Sequence, residues 1–142
     1  LGEEIIVSAV FQHAPGNREK IKTAIEEKIK HREERQPLEY PNVGSIFKNV
    51  DVRKFPKKKL SEVTQVIKKD PFPVIPTAYL IAEAGLKGIS FGGAMISPKH
   101  PNFIVNVENA TANDVLALIN LVKSEVKRKF GVILEEEVQM VS

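Results

Sequence analysis

The pattern of apolar and polar positions predicts two helices in the first half of the chain. At 17–36, isoleucines recur at every fourth position among charged residues. This narrow stripe is typical of a surface helix, with Asn17 as its N-cap and an end before Pro37. Apolar residues within 60–67 recur at helical spacing and predict a second, shorter helix.

Two further helices are predicted in the second half of the chain. The segment 77–84 is mostly apolar and is followed by Gly85, a typical residue just after a helix end. The segment 109–130 is the clearest helix, with a capping-box-like pair at 111–114 and Gly131 at its end. Its predicted core face consists of Val115, Leu118, Ile119, Val122, Val126 and Phe130.

Short runs rich in β-branched residues predict strands between these helices. They lie at 4–12, 89–97 and 101–107, and a closing strand pair is predicted at 132–142. The proline-rich segment 70–76 predicts a rigid, irregular connector. Because strands and helices are interleaved irregularly, we predict an α+β fold: a mixed sheet with flanking helices.

Composition narrows the class of protein. The chain has 142 residues, 42% hydrophobic and 27% charged, which is typical of one globular domain. It has no Cys, so no disulfide is expected, and its three His are widely spaced, so no metal site is expected. It has no run of about 18 apolar residues, so no membrane span is expected. The net charge of +3 suits an anionic ligand, or more weakly a nucleic acid. The chain does not begin with Met, so we expect it to be a piece of a longer protein.

A polar cluster in the segment YPNVGSIFKN, residues 40–49, is the first candidate site. Ser45 directly follows Gly44, which permits an unusual backbone turn and so an accessible hydroxyl. Lys48 can contact a phosphate or carboxylate, and Asn49 can hydrogen-bond to it. Spacing alone favours the simpler interpretation, a polar turn that leads into a strand.

Two further clusters carry candidate chemistry. The pair Gly92–Gly93 permits close approach of a ligand, and His100 and Asn102 follow it. The three carboxylates at 135–137 would be costly to bury, and on a strand Glu135 and Glu137 share a face while Glu136 points away. For the segment around Gly92–Gly93, the simpler interpretation is a β-bulge and a turn. For the carboxylates at 135–137, it is a strand end exposed to solvent.

Several segments in one order together resemble the C-terminal part of the UDP-N-acetylenolpyruvoylglucosamine reductase family. They are RQPLEYPNVGSIFKN, LIAEAGLKG, GGAMIS followed by PKHPNFIVN, NATANDVLALI and KFGVILEEEV, within residues 30–141. The resemblance implies a flavoenzyme of peptidoglycan precursor synthesis. In that family NADPH reduces FAD, and UDP-N-acetylglucosamine enolpyruvate is reduced to UDP-N-acetylmuramate. The family's cytoplasmic location is expected here too.

The resemblance also implies roles for particular residues. Ser45 matches the family's proton donor, and Glu137 matches an acidic position that helps to stabilise or protonate the enol intermediate. Lys48 is a candidate to assist Ser45. Asn49 and Arg35 resemble positions that hold the substrate's phosphates or carboxylate. We further predict that Tyr40, His100 and Asn102 contact the substrate.

The resemblance implies a division of the chain and shows departures from the family. Residues 1–29 resemble the end of the flavin-binding domain and its exit helix, and 30–142 the substrate-binding domain. FAD would be bound mainly by an N-terminal region of the same protein, so this chain alone should be inactive. Residues 50–76 lengthen a connection that is short in the family, and we expect them to elaborate the surface near the site. Val50 and Gln139 replace a usual Pro and Arg.

Two other functions are compatible with the residues. One is a non-catalytic nucleotide-sugar binding module, which would keep the phosphate contacts without needing Ser45. The other is a nucleic-acid binder that uses the Lys-rich stretch at 53–69, but no aromatic residues are interleaved there in the usual manner. We therefore expect no nucleic-acid partner and no membrane association.

Overall fold

The computed structural model describes residues 7–139 and separates the chain into two compact units, Leu1–Glu34 and Arg35–Ser142. The first unit is dominated by helix α1, Arg18–Arg35, the last residue of which belongs to the second unit. The Asn17 side chain accepts a hydrogen bond from the backbone N–H of Lys20 at 3.0 Å, so the predicted N-cap is confirmed, as is the end before Pro37.

The strand predicted at 4–12 is wrong for the residues that can be compared. Residues 7–12 adopt no regular structure, while residues 4–6 lie outside the described part of the chain. Val7, Val10 and Phe11 are 78–99% exposed. β-branched residues form a strand only when a hydrogen-bonded neighbour is present, and residues 7–12 pair with none between residues 7 and 139.

A four-stranded antiparallel sheet organises the second unit. Its strands are β1 Asn42–Ser45, β4 Ser90–Phe91, β5 Ala94–Ile96 and β6 Phe103–Asn106, in the spatial order β1-β6-β5-β4. Helix α3, Ala112–Phe130, contacts β4 and β5 as well as the short helix α2, Thr77–Glu83. The predicted α+β class is confirmed, with every strand pair antiparallel.

Helix α3 supplies one wall of the core. The predicted capping box is present: Thr111 Oγ1 accepts from Asp114 N at 3.2 Å, and the Asp114 carboxylate accepts from Thr111 N at 2.9 Å. The helix ends at Gly131, which has φ of +74°. The predicted core face is confirmed, with Val115 half-buried and the others buried: Leu118, Ile119, Val122, Val126 and Phe130.

The helix predicted at 60–67 is replaced by parts of two short 3-10 helices, Lys57–Glu62 and Thr64–Val66, and a third precedes them at Val52–Lys54. Leu60, Val63 and Val66 are spaced by three residues, which is the period of a 3-10 helix. The backbone N–H groups of Val63 and Val66 accordingly bond the carbonyls three residues earlier, at 3.2 and 3.1 Å.

The connector at 70–76 is more regular than predicted. Val74–Ile75 form strand β3, which pairs with β2, Val50–Asp51, in a separate two-stranded sheet. By contrast, the closing strand pair predicted at 132–142 is reduced to one bridge between Glu136 and Phe47, and residues 140–142 lie outside the described part. The partner segment is too short for more, since Asn49 already turns away to α2.

Gly92–Gly93 form the two-residue turn of the β4–β5 hairpin. A Cβ added to Gly93 would lie 1.9 Å from the Glu108 carbonyl oxygen, so the expected close approach is made by the protein's own backbone. Within residues 7–139, no helix has the length and apolar character needed to cross a bilayer.

We expect Gly93→Ala to lower the free energy of unfolding by about 3 kcal/mol or more, because the new Cβ must displace a backbone segment. Gly88→Ala is the matched control. An added Cβ there meets nothing within 4 Å. Gly88→Ala should therefore lower the free energy of unfolding only through backbone strain at φ of +77°, by about 1–2 kcal/mol. Urea unfolding measures both values, and equal losses would contradict the steric argument.

Candidate functional site

A β-bulge sits immediately before Ser45. Asn42 is opposite Val105 and Ser45 is opposite Phe103, so β1 uses one more residue than β6 between the two pairs. Gly44 has φ of +86°, which confirms the expected unusual turn. A bulge redirects the side chains that follow it. Ser45 is half-buried, and its hydroxyl has no hydrogen-bond partner among residues 7–139.

The Asn42 side chain holds this bulge in place. Its Nδ2 donates to the carbonyls of Pro37 and Tyr40 at 3.1 and 2.9 Å, and its Oδ1 accepts from Gly44 N at 3.0 Å. Asn residues often bond the backbone two residues on. The Asn42-x-Gly44 pattern was therefore a readable signal that the sequence-based reasoning did not use.

Asn102 forms hydrogen bonds with the backbone of residues 46–47, which follow Ser45. Its Nδ2 donates to Phe47 O at 2.8 Å, its Oδ1 accepts from Phe47 N at 3.1 Å, and its backbone carbonyl accepts from Ile46 N at 2.8 Å. Asn102 is 4% exposed. Its amide is thus engaged with the backbone of the 46–47 segment.

The acidic segment crosses the other side of the same stretch. Lys48 N donates to Glu135 O at 2.9 Å, and Glu137 N donates to Ile46 O at 2.8 Å. Glu135 and Glu137 face one side, as predicted, while Glu136 bonds Lys123 Nζ at 2.7 Å on the other. The segment is extended here, so the alternation of a strand holds although the strand does not continue.

A cleft of about 600 Å³ opens where these segments meet. Three predicted site residues line it together: Lys48, Asn49 and Glu137. The opposite wall comes from the 50–76 connection and includes Asp51, Lys54, Lys68, Asp70, Pro71 and Phe72. The connection therefore lies at the site, as expected.

This connection is more than a surface elaboration, and that part of the expectation is wrong. Phe55 and Val63 are 3% and 0% exposed and belong to the hydrophobic core. Phe55 also lies against Phe130 of α3, with ring centroids 6.3 Å apart. The cleft wall is thus anchored by apolar burial.

Glu135 pairs with two lysines at the cleft. Lys48 Nζ lies 2.5 Å from Glu135 Oε1, and Lys54 Nζ lies 3.8 Å from Oε2. The hydrogen bond from Lys48 lowers the pKa of Glu135, and the same bond raises the pKa of Lys48. Both groups are therefore charged at neutral pH. Glu137 forms no ion pair within the described residues.

Asn49 ties the site to α2. Its Oδ1 accepts from Thr77 N at 3.1 Å, and Thr77 Oγ1 donates to Lys48 O at 2.6 Å. Thr77 is fully buried. The side chain of Asn49 thus satisfies a free N–H at the start of the helix while it lies on the cleft wall.

The structure does not place the other predicted residues on the lining of this cleft. Ser45 lies three residues before Lys48, Arg35 is exposed at the end of α1, and Tyr40 is 41% exposed in the turn before β1. Asn102 is buried beneath the 46–47 segment.

His100 lies edge-on to Phe103, with ring centroids 4.6 Å apart, and its Nδ1 is buried with no partner in residues 7–139. Burial lowers the pKa of His100, and the nearby charge of Lys68 adds to this effect, so its ring is neutral at pH 7. Within the same residues, no group of three His, Asp or Glu side chains is suited to a metal ion.

The fold and the cleft define a class, an α+β domain with an antiparallel sheet and a charged cleft at its edge. The family described as UDP-N-acetylenolpyruvoylglucosamine reductase, C-terminal domain, matches residues 36–141. The chain belongs to this family, which confirms the resemblance in the sequence.

Relatives of this name cover nearly the whole chain. The one from Clostridium beijerinckii is 41% identical over 140 residues, which is 96% of this chain and 38% of the relative. The one from Synechocystis is 39% identical over 141 residues, covering 99% and 38%. The solved reductase from Thermus caldophilus has a TM-score of 0.56 and 32% identity, covering 87% of this chain and 36% of that one. The chain thus spans just over a third of its relatives' length.

We expect Asn102→Ala to lower the free energy of unfolding by about 2–4 kcal/mol, because both backbone groups of the buried Phe47 lose their partner. Asn106→Ala is the matched control, since its side chain accepts a single hydrogen bond within residues 7–139, from Ala110 N at 2.9 Å. That variant should lose about 1 kcal/mol in the same urea titration. Equal losses would show that the hydrogen bonds of Asn102 to Phe47 do not stabilise the fold more than the single bond of Asn106 does.

The ion pair at the cleft makes a prediction about pH. Because the folded-state pKa of Glu135 is lowered, the pair stabilises the fold above the unfolded pKa, and this contribution disappears as pH falls through the folded pKa. Lys48→Met should raise the Glu135 pKa toward its ordinary value of about 4.3, though incompletely, since Lys54 remains. A carboxyl NMR titration measures this. Lys99→Met, which removes only the partner of Glu39, should leave Glu135 unchanged.

Proposed function

We propose that this chain is the substrate-binding and proton-donating domain of a UDP-N-acetylmuramate dehydrogenase. The whole protein would use NADPH and FAD to reduce UDP-N-acetylglucosamine enolpyruvate in peptidoglycan synthesis. The observation that carries the proposal is the crossing of 46–48 and 135–137. It gathers Lys48, Asn49 and Glu137 at one cleft in a chain of this family.

The Gly-Gly pair of this chain is not open to the phosphates of FAD. A glycine-rich turn before a helix is a common way to approach the phosphates of a dinucleotide. The only Gly-Gly pair is filled by the protein itself, since added Cβ atoms at Gly92 and Gly93 would meet Asp114 and Glu108 within 2.4 Å. We therefore assign FAD to an N-terminal region of the parent protein.

The substrate carries a diphosphate and a carboxylate, and the cleft presents cations to receive them. Lys48, Lys54 and Lys68 line it, together with the carboxylates of Asp51, Asp70, Glu135 and Glu137. Glu135 holds Lys48, so an incoming anion competes with that carboxylate for the ammonium group. Asn49 keeps its Nδ2 for a ligand oxygen, since the bond to Thr77 uses only Oδ1.

Reduction of the enolpyruvyl double bond requires a hydride at one carbon and a proton at the other. The carbon beside the carboxylate gains negative charge, so a group near it must donate the proton. We assign this role to Ser45. Its hydroxyl is unengaged within the described residues and follows a bulge that redirects it.

A Ser hydroxyl is a weak acid, so the negative charge it leaves behind needs a stabilising group. Lys48 lies three residues further along the same segment and is a cation. Glu137 is held by its backbone against Ile46, the neighbour of Ser45. We propose that Glu137 stabilises or protonates the enol form of the intermediate.

The remaining predicted contacts stay predictions. Arg35, Tyr40 and His100 are proposed to touch the substrate in the whole protein, where the N-terminal region is also present. We propose the same for Asn102, the side-chain amide of which also bonds the backbone of Phe47. The boundary at residue 29 and the cytoplasmic location are proposed on the family resemblance alone.

Ser45→Ala tests the proposal in the full-length protein that contains this chain. With FAD reduced by NADPH under anaerobic conditions, the rate at which added UDP-N-acetylglucosamine enolpyruvate reoxidises the flavin should fall by about 10²–10⁴-fold. Substrate binding should be retained. Ser124→Ala, an exposed serine of α3 whose hydroxyl bonds only Leu121 O, is the matched control and should keep the native rate.

Equal rates in Ser45→Ala and the native protein would remove Ser45 as the acid. No reoxidation in the native protein, with binding retained, would favour the non-catalytic nucleotide-sugar binding module instead.

A further inference from the structure

The loop at 69–73 lies at the cleft, and backbone hydrogen bonds hold its two ends together. Lys68 and Val74 exchange two backbone hydrogen bonds, each 2.9 Å, which close the loop at its ends. Val52 N also donates to Pro73 O at 3.3 Å. Pro71 and Pro73 fix two backbone dihedrals inside the loop. The residue between them, Phe72, is therefore presented by a stiff support.

Phe72 is an exposed aromatic ring at a polar site. It is 58% exposed and lines the cleft, and Ile133, which is 71% exposed, lines it as well. Large apolar side chains in contact with water at a concave site commonly mark a ligand surface. Val74, 8% exposed, lines the same cleft. One part of the ligand that fits here is thus apolar or aromatic.

Cationic side chains lie beside this apolar surface. Lys68, at the base of the loop, forms no ion pair within residues 7–139. Lys54 reaches Glu135 only at 3.8 Å and shares that carboxylate with Lys48. An exposed ring beside Lys68, the cleft lysine that forms no ion pair within residues 7–139, suits a ligand with a planar ring and phosphates, which is a nucleoside diphosphate.

We propose that Phe72 is the base-stacking residue for the nucleotide part of the substrate, with Lys68 facing its diphosphate. This rests on the proposed function, which supplies a uridine diphosphate group, and it names the residue that contacts the base of that group. The 50–76 connection then forms the wall of the cleft that contacts the nucleotide. Base–aromatic stacking is favourable for any planar base, and a stiff loop reduces the entropy lost on binding.

The test is calorimetric titration of the full-length protein with two probes, UDP and inorganic pyrophosphate. Phe72→Ala should weaken UDP binding by about 10-fold or more, because a stacked base loses its aromatic partner. Pyrophosphate binding should change by less than about 2-fold, and Phe72→Tyr should retain native affinity for UDP. Lys68→Met should weaken the binding of both probes.

Phe91→Ala is the matched control, since Phe91 is 55% exposed on β4 and does not line the cleft. The proposal is overturned if Phe72→Ala weakens UDP binding no more than this control does. It is also overturned if Phe72→Ala weakens pyrophosphate binding equally, since the loss would not then concern the base.

The two hypotheses fail in different ways. A native protein that binds UDP through Phe72 but does not reoxidise reduced flavin with substrate would retain this inference and overturn the proposed function. If the native protein turns over the substrate and Phe72→Ala leaves the UDP affinity unchanged, the proposed function is retained and this inference is overturned. Absence of UDP binding to the native protein would overturn this inference, while flavin reoxidation by the substrate would still decide the proposed function.

Discussion

The site depends on one crossing of two extended segments. Ile46, Phe47 and Lys48 are bonded on one side to Asn102 and on the other to the backbone of Glu135 and Glu137. These bonds satisfy main-chain groups in a largely buried place, where an unpaired N–H or C=O would be costly. The crossing also sets which carboxylates face the cleft. Side chains alternate along an extended chain, so fixing Glu136 against Lys123 directs its two neighbours to the other side.

The long 50–76 connection contributes both to the hydrophobic core and to the candidate cleft. Its apolar residues, Phe55 and Val63 among them, enter the core and anchor it, while its polar residues line the cleft. The same segment therefore contributes hydrophobic stability and cleft chemistry. Because the loop carrying Phe72 is closed by two backbone hydrogen bonds, its aromatic ring is presented by a short, stiff support.

Elements with strong local signals were predictable. The capping box at 111–114, the glycine end of α3 and the Asn17 cap follow from bonds within a few residues, which are the same in any tertiary setting. The strand predicted at 4–12 is absent from residues 7–12, the strand pair predicted at 132–142 is reduced to one bridge within 132–139, and the helix at 60–67 is wrong. Strands depend on a partner elsewhere in the chain, and a run of apolar residues at spacing of three is compatible with either kind of helix.

The sequence by itself determined the α+β class, the family and the polar residues at 45–49, because periodicity, caps and motif order are properties of the chain itself. Only the tertiary structure decided that Lys48, Asn49 and Glu137 share one cleft and that Phe72 lies on it too. Lys48 and Glu135 are 87 positions apart, and no local pattern encodes that distance. The contact exists because burial of the core and pairing of backbone groups bring both segments to the same edge of the sheet.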